Sequence, residues 1–136
     1  MSFRREKEER IKRFIISVLE EAKGDYRKID EIIRREIRGR RKMIREVETD
    51  FDNFIKNLTF GVSMPEFYTT RFKKDIELLQ HARNRIEHLI ELYQRDRELF
   101  NWTVKEEFKG YVRIVKKEIE KLAKTKPKTY SLINFI

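Results

Sequence analysis

The sequence predicts an all-α protein, and two observations carry that prediction. Large apolar residues recur at helical spacing along most of the 136 residues. The chain has only four glycines and two prolines, so it is poor in the residues that punctuate strands and hairpins. It has no cysteine, which excludes a disulfide scaffold and a thiolate metal site. The periodicity predicts an antiparallel up-and-down four-helix bundle with two long central helices. Residues 1–124 form the single domain, and 125–136 form a flexible tail, basic first and then apolar.

The first two predicted helices meet at a glycine. The first runs from about Arg4 to Lys23, and Gly24 ends it. Asp25 can cap the second, which runs from about Tyr26 to Leu58. Gly39 interrupts the apolar stripe of the second helix, so a kink or local break there stays open.

The third and fourth predicted helices each begin at a capping box, in which an N-cap hydroxyl and a Glu three positions later satisfy the first backbone N–H groups. The boxes start at Ser63 and at Thr103, and the fourth helix ends near Lys124. Trp102 directly precedes the second box, and we expect it to close the end of the core.

The unequal lengths of these helices predict an uncovered surface. The two central helices are each about 50 Å long, whereas the outer two are about 30 Å. The bundle should therefore continue into a two-helix hairpin at about residues 46–75, which is rich in large apolar residues. Monomeric soluble proteins rarely leave such a patch bare. We expect a second copy to cover it through Phe51, Phe54, Phe60, Met64, Phe67 and Phe72. Docking of the apolar tail residues is the alternative, and another protein could bind the hairpin tip or the tail.

The charge pattern predicts two basic surfaces. The net charge is +9, from 33 basic and 24 acidic residues, although many charges form acid-before-base pairs four residues apart, such as Glu36 and Arg40. The excess collects in Arg34, Arg38, Arg41 and Arg45, which follow steps of four, three and four residues, and in a second stretch with Lys117, Lys121 and Lys124. Such ridges attract a nucleic acid or an acidic protein without reading sequence. No aromatic residue interleaves with them, so the stacking surface of single-strand binders is missing.

Catalytic motifs are sparse. The chain contains no phosphate-binding glycine loop, no GxSxG and no HExxH, and we expect no cofactor and no metal. One string, Arg83-Asn84-Arg85-Ile86-Glu87-His88, matches R-N-x-x-x-H. It resembles the signature of HEPN-type ribonucleases, helical bundles that pair on RNA. The resemblance implies that Arg83 would hold phosphate, that Asn84 belongs to the same site, and that His88 would act as general acid–base. The alternative is that these are ordinary surface residues.

The chain as a whole has a second, general likeness. Its high charge, lack of cysteine and low Asn and Gln content resemble proteins of hyperthermophiles. It resembles four-helix-bundle proteins of hyperthermophilic archaea and their viruses. The first ten residues, MSFRREKEER, have no apolar stretch like that of a signal peptide, and no apolar run approaches a membrane span. We expect a cytoplasmic protein, inside a host cell if it is viral.

The residues favour a non-catalytic protein–protein interaction or assembly module that acts as a homodimer and contacts a polyanion secondarily. One alternative is a sequence-nonspecific nucleic-acid-binding protein. The other is a HEPN-like ribonuclease that uses Arg83 and His88.

Overall fold

The computed structural model describes residues 3–56 and 67–127, and this part is all-helical, as predicted. It contains five helices: α1 (Phe3–Ala22), α2 (Arg27–Lys56), α3 (Phe67–Arg95), α4 (Arg97–Glu107) and α5 (Val112–Thr125). No strand occurs within these two ranges. None of the five helices is both long enough and apolar enough to cross a bilayer.

The turn between α1 and α2 follows the prediction. The backbone enters the left-handed region at Lys23 (φ 50°) and Gly24 (φ 80°), which ends α1. The Oδ1 atom of Asp25 accepts a hydrogen bond of 3.1 Å from the backbone N–H of Arg27. The first-turn N–H of α2 thus finds the side-chain acceptor expected near a helix start.

The second predicted helix is unbroken in the structure. α2 passes through Gly39 with helical geometry, so the glycine causes no break there. The position predicted for the Ser63 capping box lies outside the described residues.

The fourth predicted helix is wrong in its start and in its continuity. α3 ends at Arg95, and Asp96 caps α4 by accepting a 3.1 Å hydrogen bond from the N–H of Leu99. Thr103 is therefore not an N-cap; it lies buried in the middle of α4. Gly110 (φ 88°) then separates α4 from α5. The capping-box pattern misleads because Thr103 serves the core, whereas Asp96 and Gly110 supply the real boundaries.

Trp102 does not close the core. Its side chain is 61% exposed, whereas Phe100 is 1% exposed and packs edge-on against Tyr93 with ring centroids 5.3 Å apart. On a helix, residues two positions apart point to opposite sides, so only one of these aromatic residues can face inward. Phe100 fills the core position that we expected Trp102 to fill.

The apolar core draws on all five helices, and α3 lies at its centre. α3 contacts each of the other four helices, and α1 also contacts α2 and α5. The buried apolar side chains of the core include one or more from every helix: Leu19, Ile29, Leu79, Ile86, Ile90, Val104, Val115, Ile119 and Leu122. Burial of large aliphatic side chains stabilises this core by roughly 1.5–3 kcal/mol for each.

A nearly buried carboxylate ties three helices together. Asp75 of α3 is 6% exposed and forms an ion pair with Arg10 of α1. Its second oxygen lies 3.5 Å from the Nε of Arg40 on α2. Arg40 also pairs with Glu36 and lies over the ring of Phe14, 5.8 Å from its centroid. A charge so removed from water is tolerated because it has two cationic partners.

Replacing Asp75 with Ala should lower the free energy of unfolding by about 2–3 kcal/mol, because two partly buried guanidinium groups lose their shared acceptor. Chemical denaturation of both proteins measures this loss. Glu77→Ala on the same helix is the matched control, since Glu77 is exposed and forms no ion pair among the described residues. An equal loss in both variants would contradict the structural role of Asp75.

Gly24 and Gly39 should respond oppositely to alanine. A Cβ at Gly24 would lie 2.7 Å from the Cβ of Lys121, and the φ of 80° disfavours any L side chain. Gly24→Ala should cost about 1–3 kcal/mol. A Cβ at Gly39 meets nothing within 4 Å, so Gly39→Ala should stabilise α2 by about 0.5–1 kcal/mol. Thermal unfolding of both variants checks the two signs.

Candidate functional site

The second half of α2 carries apolar side chains that the rest of the described chain does not bury. From Arg34 to Ile55 no side chain of α2 is buried. Yet this stretch keeps the apolar spacing of a core helix, with half-buried Ile44, Val47, Phe51 and Ile55. Phe54 is 59% exposed and Met43 is 48% exposed. We call these six residues, together with half-buried Phe72 and Ile76 of α3, the hairpin stripe.

The hairpin stripe contains part of the predicted partner surface. Phe51, Phe54 and Phe72 belong to it. Phe60, Met64 and the side chain of Phe67 lie outside the described residues. Sequence reasoning missed Met43, although its spacing of four residues before Val47 and eleven before Phe54 places all three on one side of α2.

The end of α5 is anchored to the turn between α1 and α2. The hydroxyl of Thr125 donates to the carbonyl of Gly24 over 2.8 Å and accepts from the N–H of Tyr26 over 2.9 Å. Lys126 pairs with Glu87 of α3, which also accepts a 2.7 Å hydrogen bond from the Tyr26 hydroxyl. These contacts fix the point from which residues 128–136 continue.

The ionisable groups in and beside this anchor have shifted pKa values. Burial and the hydrogen bond to Glu87 raise the pKa of Tyr26 to about 12. Burial opposes ionisation of Glu87, but the hydrogen bonds from Lys126 and Tyr26 outweigh it and lower the pKa of Glu87. The hydrogen bond from Arg83 lowers the pKa of the neighbouring Asp30.

Arg34, Arg38, Arg41 and Arg45 form the second candidate surface, which we call the Arg ridge. All four side chains are exposed, and none forms an ion pair with a carboxylate of the described residues. The ridge is about 17 Å long at 1.5 Å per residue. Like charges three or four residues apart weaken a helix by a few tenths of a kcal/mol for each pair, and the ridge contains three such pairs. The Arg ridge thus does not stabilise the helix that carries it.

The second basic stretch is partly neutralised. Lys121 lies 3.7 Å from Glu118, and Lys124 lies 3.5 Å from Glu120. Lys117 is exposed and has no ion-pair partner among the described residues. The structure therefore favours the Arg ridge over this stretch as a polyanion surface.

The structure places the R-N-x-x-x-H residues on different sides of α3. The Nε of Arg83 donates to Oδ1 of Asp30 over 2.9 Å, so this guanidinium is engaged with α2. Asn84 and His88 are exposed, and five residues of helix put His88 about 140° away from Arg83. Within one chain, these side chains do not converge on a shared point.

A cleft of about 530 Å³ lies between α1, α3 and α4. Its apolar lining comes from Ile11, Ile15 and Phe108, and charged side chains surround it. Two cations on its border are already paired: Arg85 with Glu107, and Lys12 with Glu9 over 3.2 Å. Across residues 3–56 and 67–127, no cluster of three or more potential metal ligands occurs.

Comparisons with protein-family models, with curated proteins and with solved structures find no match to this chain.

The anchor predicts a specific alkaline response. Below pH 10 the protonated Tyr26 stabilises the folded state, and this contribution is lost as the pH rises from about 10 to about 12, because the folded pKa is the higher one. The gap in the free energy of unfolding between the wild type and Tyr26→Phe should shrink across that range in denaturation curves. Tyr111→Phe, which removes an exposed tyrosine from the start of α5, should show no such convergence.

Proposed function

We propose that this chain is a non-catalytic protein–protein interaction and assembly module that acts as a homodimer through the hairpin stripe. One observation carries the proposal: α2 keeps a core-like apolar pattern over a stretch in which no side chain is buried. Exposed contiguous apolar surface of this kind marks interaction sites in soluble proteins.

The proposal takes the helices as an antiparallel bundle with α1 shorter than α2. Two contacts support that arrangement: Glu21 pairs with Arg35 over 2.6 Å, and Arg10 and Arg40 meet at Asp75. Beyond this meeting point α1 continues for about 10 Å to Phe3, whereas α2 continues for about 24 Å to Lys56. The difference of about 14 Å leaves Phe54, about 21 Å beyond Arg40, past the end of α1.

Residues 128–136 span too short a distance to lie over the far part of the stripe. Ile136 lies nine residues beyond Pro127, and nine extended residues span at most about 32 Å. Lys126 is held beside Tyr26, and Phe54 lies 28 residues further along α2, or about 42 Å away. The backbone of segment 128–136 therefore ends about 10 Å short of Phe54 even when it is fully extended.

A second copy is the occupant that the geometry favours. Two identical stripes can pair about a two-fold axis, since an isologous interface joins the same patch on both subunits. A helix from the second copy would continue the line of α1 between α2 and α3. This pairing removes the exposed Met43 and Phe54 from water without requiring any other protein.

Sedimentation should show a dimer for the full chain and for residues 1–127, which keep the Thr125 and Lys126 anchor. The double variant Met43→Glu/Phe54→Glu should be monomeric, because it places four charges in the shared interface of the dimer. Both positions are exposed in the single chain, so circular dichroism should show unchanged helicity.

The matched control is Leu99→Glu/Trp102→Glu, which adds the same charge at two exposed apolar positions of α4. This variant should remain dimeric. A monomeric wild type at high protein concentration, or a dimeric Met43→Glu/Phe54→Glu variant, would overturn the proposal.

A further inference from the structure

We infer that the Arg ridge binds the sugar–phosphate backbone of a nucleic-acid duplex. This inference goes beyond the homodimer and does not depend on it. The four guanidinium groups lie along one side of a continuous helix, and none forms an ion pair with a described carboxylate, although Asp30 attracts Arg34 at longer range. Guanidinium groups match phosphate oxygens in two-pronged geometry and stay charged at every physiological pH.

The Arg ridge takes no part in the ion pairs through which five other arginines hold the fold. Arg10, Arg35, Arg40, Arg83 and Arg85 each form an ion pair with a carboxylate. The Arg ridge instead sets like charges side by side on α2, which weakens the helix. A row of unpaired, mutually repelling cations is suited to a ligand that brings its own negative charges.

The surroundings of the ridge point to a duplex rather than an acidic protein. The exposed neighbours of the four arginines on α2 are polar, among them Glu31, Lys42, Glu48 and Asp52, and the half-buried Ile37 and Ile44 border the ridge on its core side. A protein interface is expected to have an apolar centre, which the exposed surface around the ridge lacks.

The same surroundings argue against a single strand. Single-strand binders stack bases on aromatic side chains, and the aromatic residues of α2, Phe51 and Phe54, face away from the ridge. A duplex hides its bases and presents phosphates, with a rise of about 3.4 Å per base pair along each strand. The ridge length of about 17 Å then corresponds to about five base pairs.

The ridge and the exposed residues of the hairpin stripe, Met43 and Phe54, lie on opposite sides of α2. Met43, two residues after Arg41, points about 160° away from it around the helix axis. Phe54, nine residues after Arg45, points about 180° away from that arginine. A partner seated on the stripe thus leaves the ridge open.

The test is a salt titration of binding to a short labelled DNA duplex, to an RNA duplex and to single-stranded DNA of the same sequence. With four phosphates contacted, the logarithm of the binding constant should fall with the logarithm of salt concentration with a slope of about −3.6 for each protomer. Arg34→Gln/Arg38→Gln/Arg41→Gln/Arg45→Gln should lose nearly all of that slope and at least about 100-fold in affinity at low salt.

The control removes the same charge elsewhere. Arg13→Gln/Arg95→Gln/Lys105→Gln/Arg113→Gln changes four exposed cations that form no ion pair among the described residues. It should lower the affinity by less than about tenfold and keep the slope within about 1 of the wild type. Circular dichroism and sedimentation should match the wild type for both variants.

Binding to the DNA duplex, the RNA duplex or both supports the inference, and the two arms show which backbone is preferred. Four results would overturn it: no binding by the wild type, equal losses in the two variants, single-stranded DNA binding as tightly as the duplex, or displacement by polyglutamate at equal charge concentration. The last result would identify an acidic protein as the partner class. None of these outcomes depends on whether the chain is a dimer.

Discussion

The ion pairs of Asp75 set the relative positions of the three long helices. Its carboxylate is almost inaccessible to water and contacts cations from both α1 and α2. Sliding any one of these helices along its axis by one turn would move a guanidinium away and strand a charge in the interior. Burial of apolar side chains is non-directional. The charge contacts therefore supply positional information that the aliphatic core does not.

Asp75 also marks where the described core ends. On the side of α3 that precedes it, Thr69 is the one buried side chain among residues 69–74. Among the described side chains of α2, the last buried one is Ile33, seven residues before Arg40. The Arg ridge and the α2 residues of the hairpin stripe thus belong to a part of α2 that contributes little to the core. That separation lets this region serve contacts with other molecules at little cost to the fold.

Apolar periodicity predicted α1, α2 and α3 well because the positions of residues such as Ile15, Ile33 and Ile86 depend only on the helical repeat. Local polar patterns were less dependable. The predicted box at Thr103 fails because hydroxyl side chains also fill core positions, which spacing alone does not reveal.

Ion pairs and exposed surfaces were also predictable where they depend on local spacing, and not where they join distant parts of the chain. Glu36 and Arg40 pair as their spacing predicts, whereas Arg10 and Arg35 bind carboxylates on other helices. Exposure of Phe54 and of the Arg ridge followed from helix lengths and spacing. The anchoring of Lys126 at Glu87 did not, because 39 residues separate the two and no local pattern links them.

The closure of α5 onto the first turn has a consequence for the order of assembly. The hydroxyl of Thr125 and the carbonyl of Gly24 are 101 residues apart in the chain. Contacts between such distant segments form late, since the intervening chain must be ordered first. During synthesis the turn between α1 and α2 leaves the ribosome long before its last partner exists. The turn between α1 and α2 is thus synthesised well before α5, but its contacts are complete only after α5 has docked.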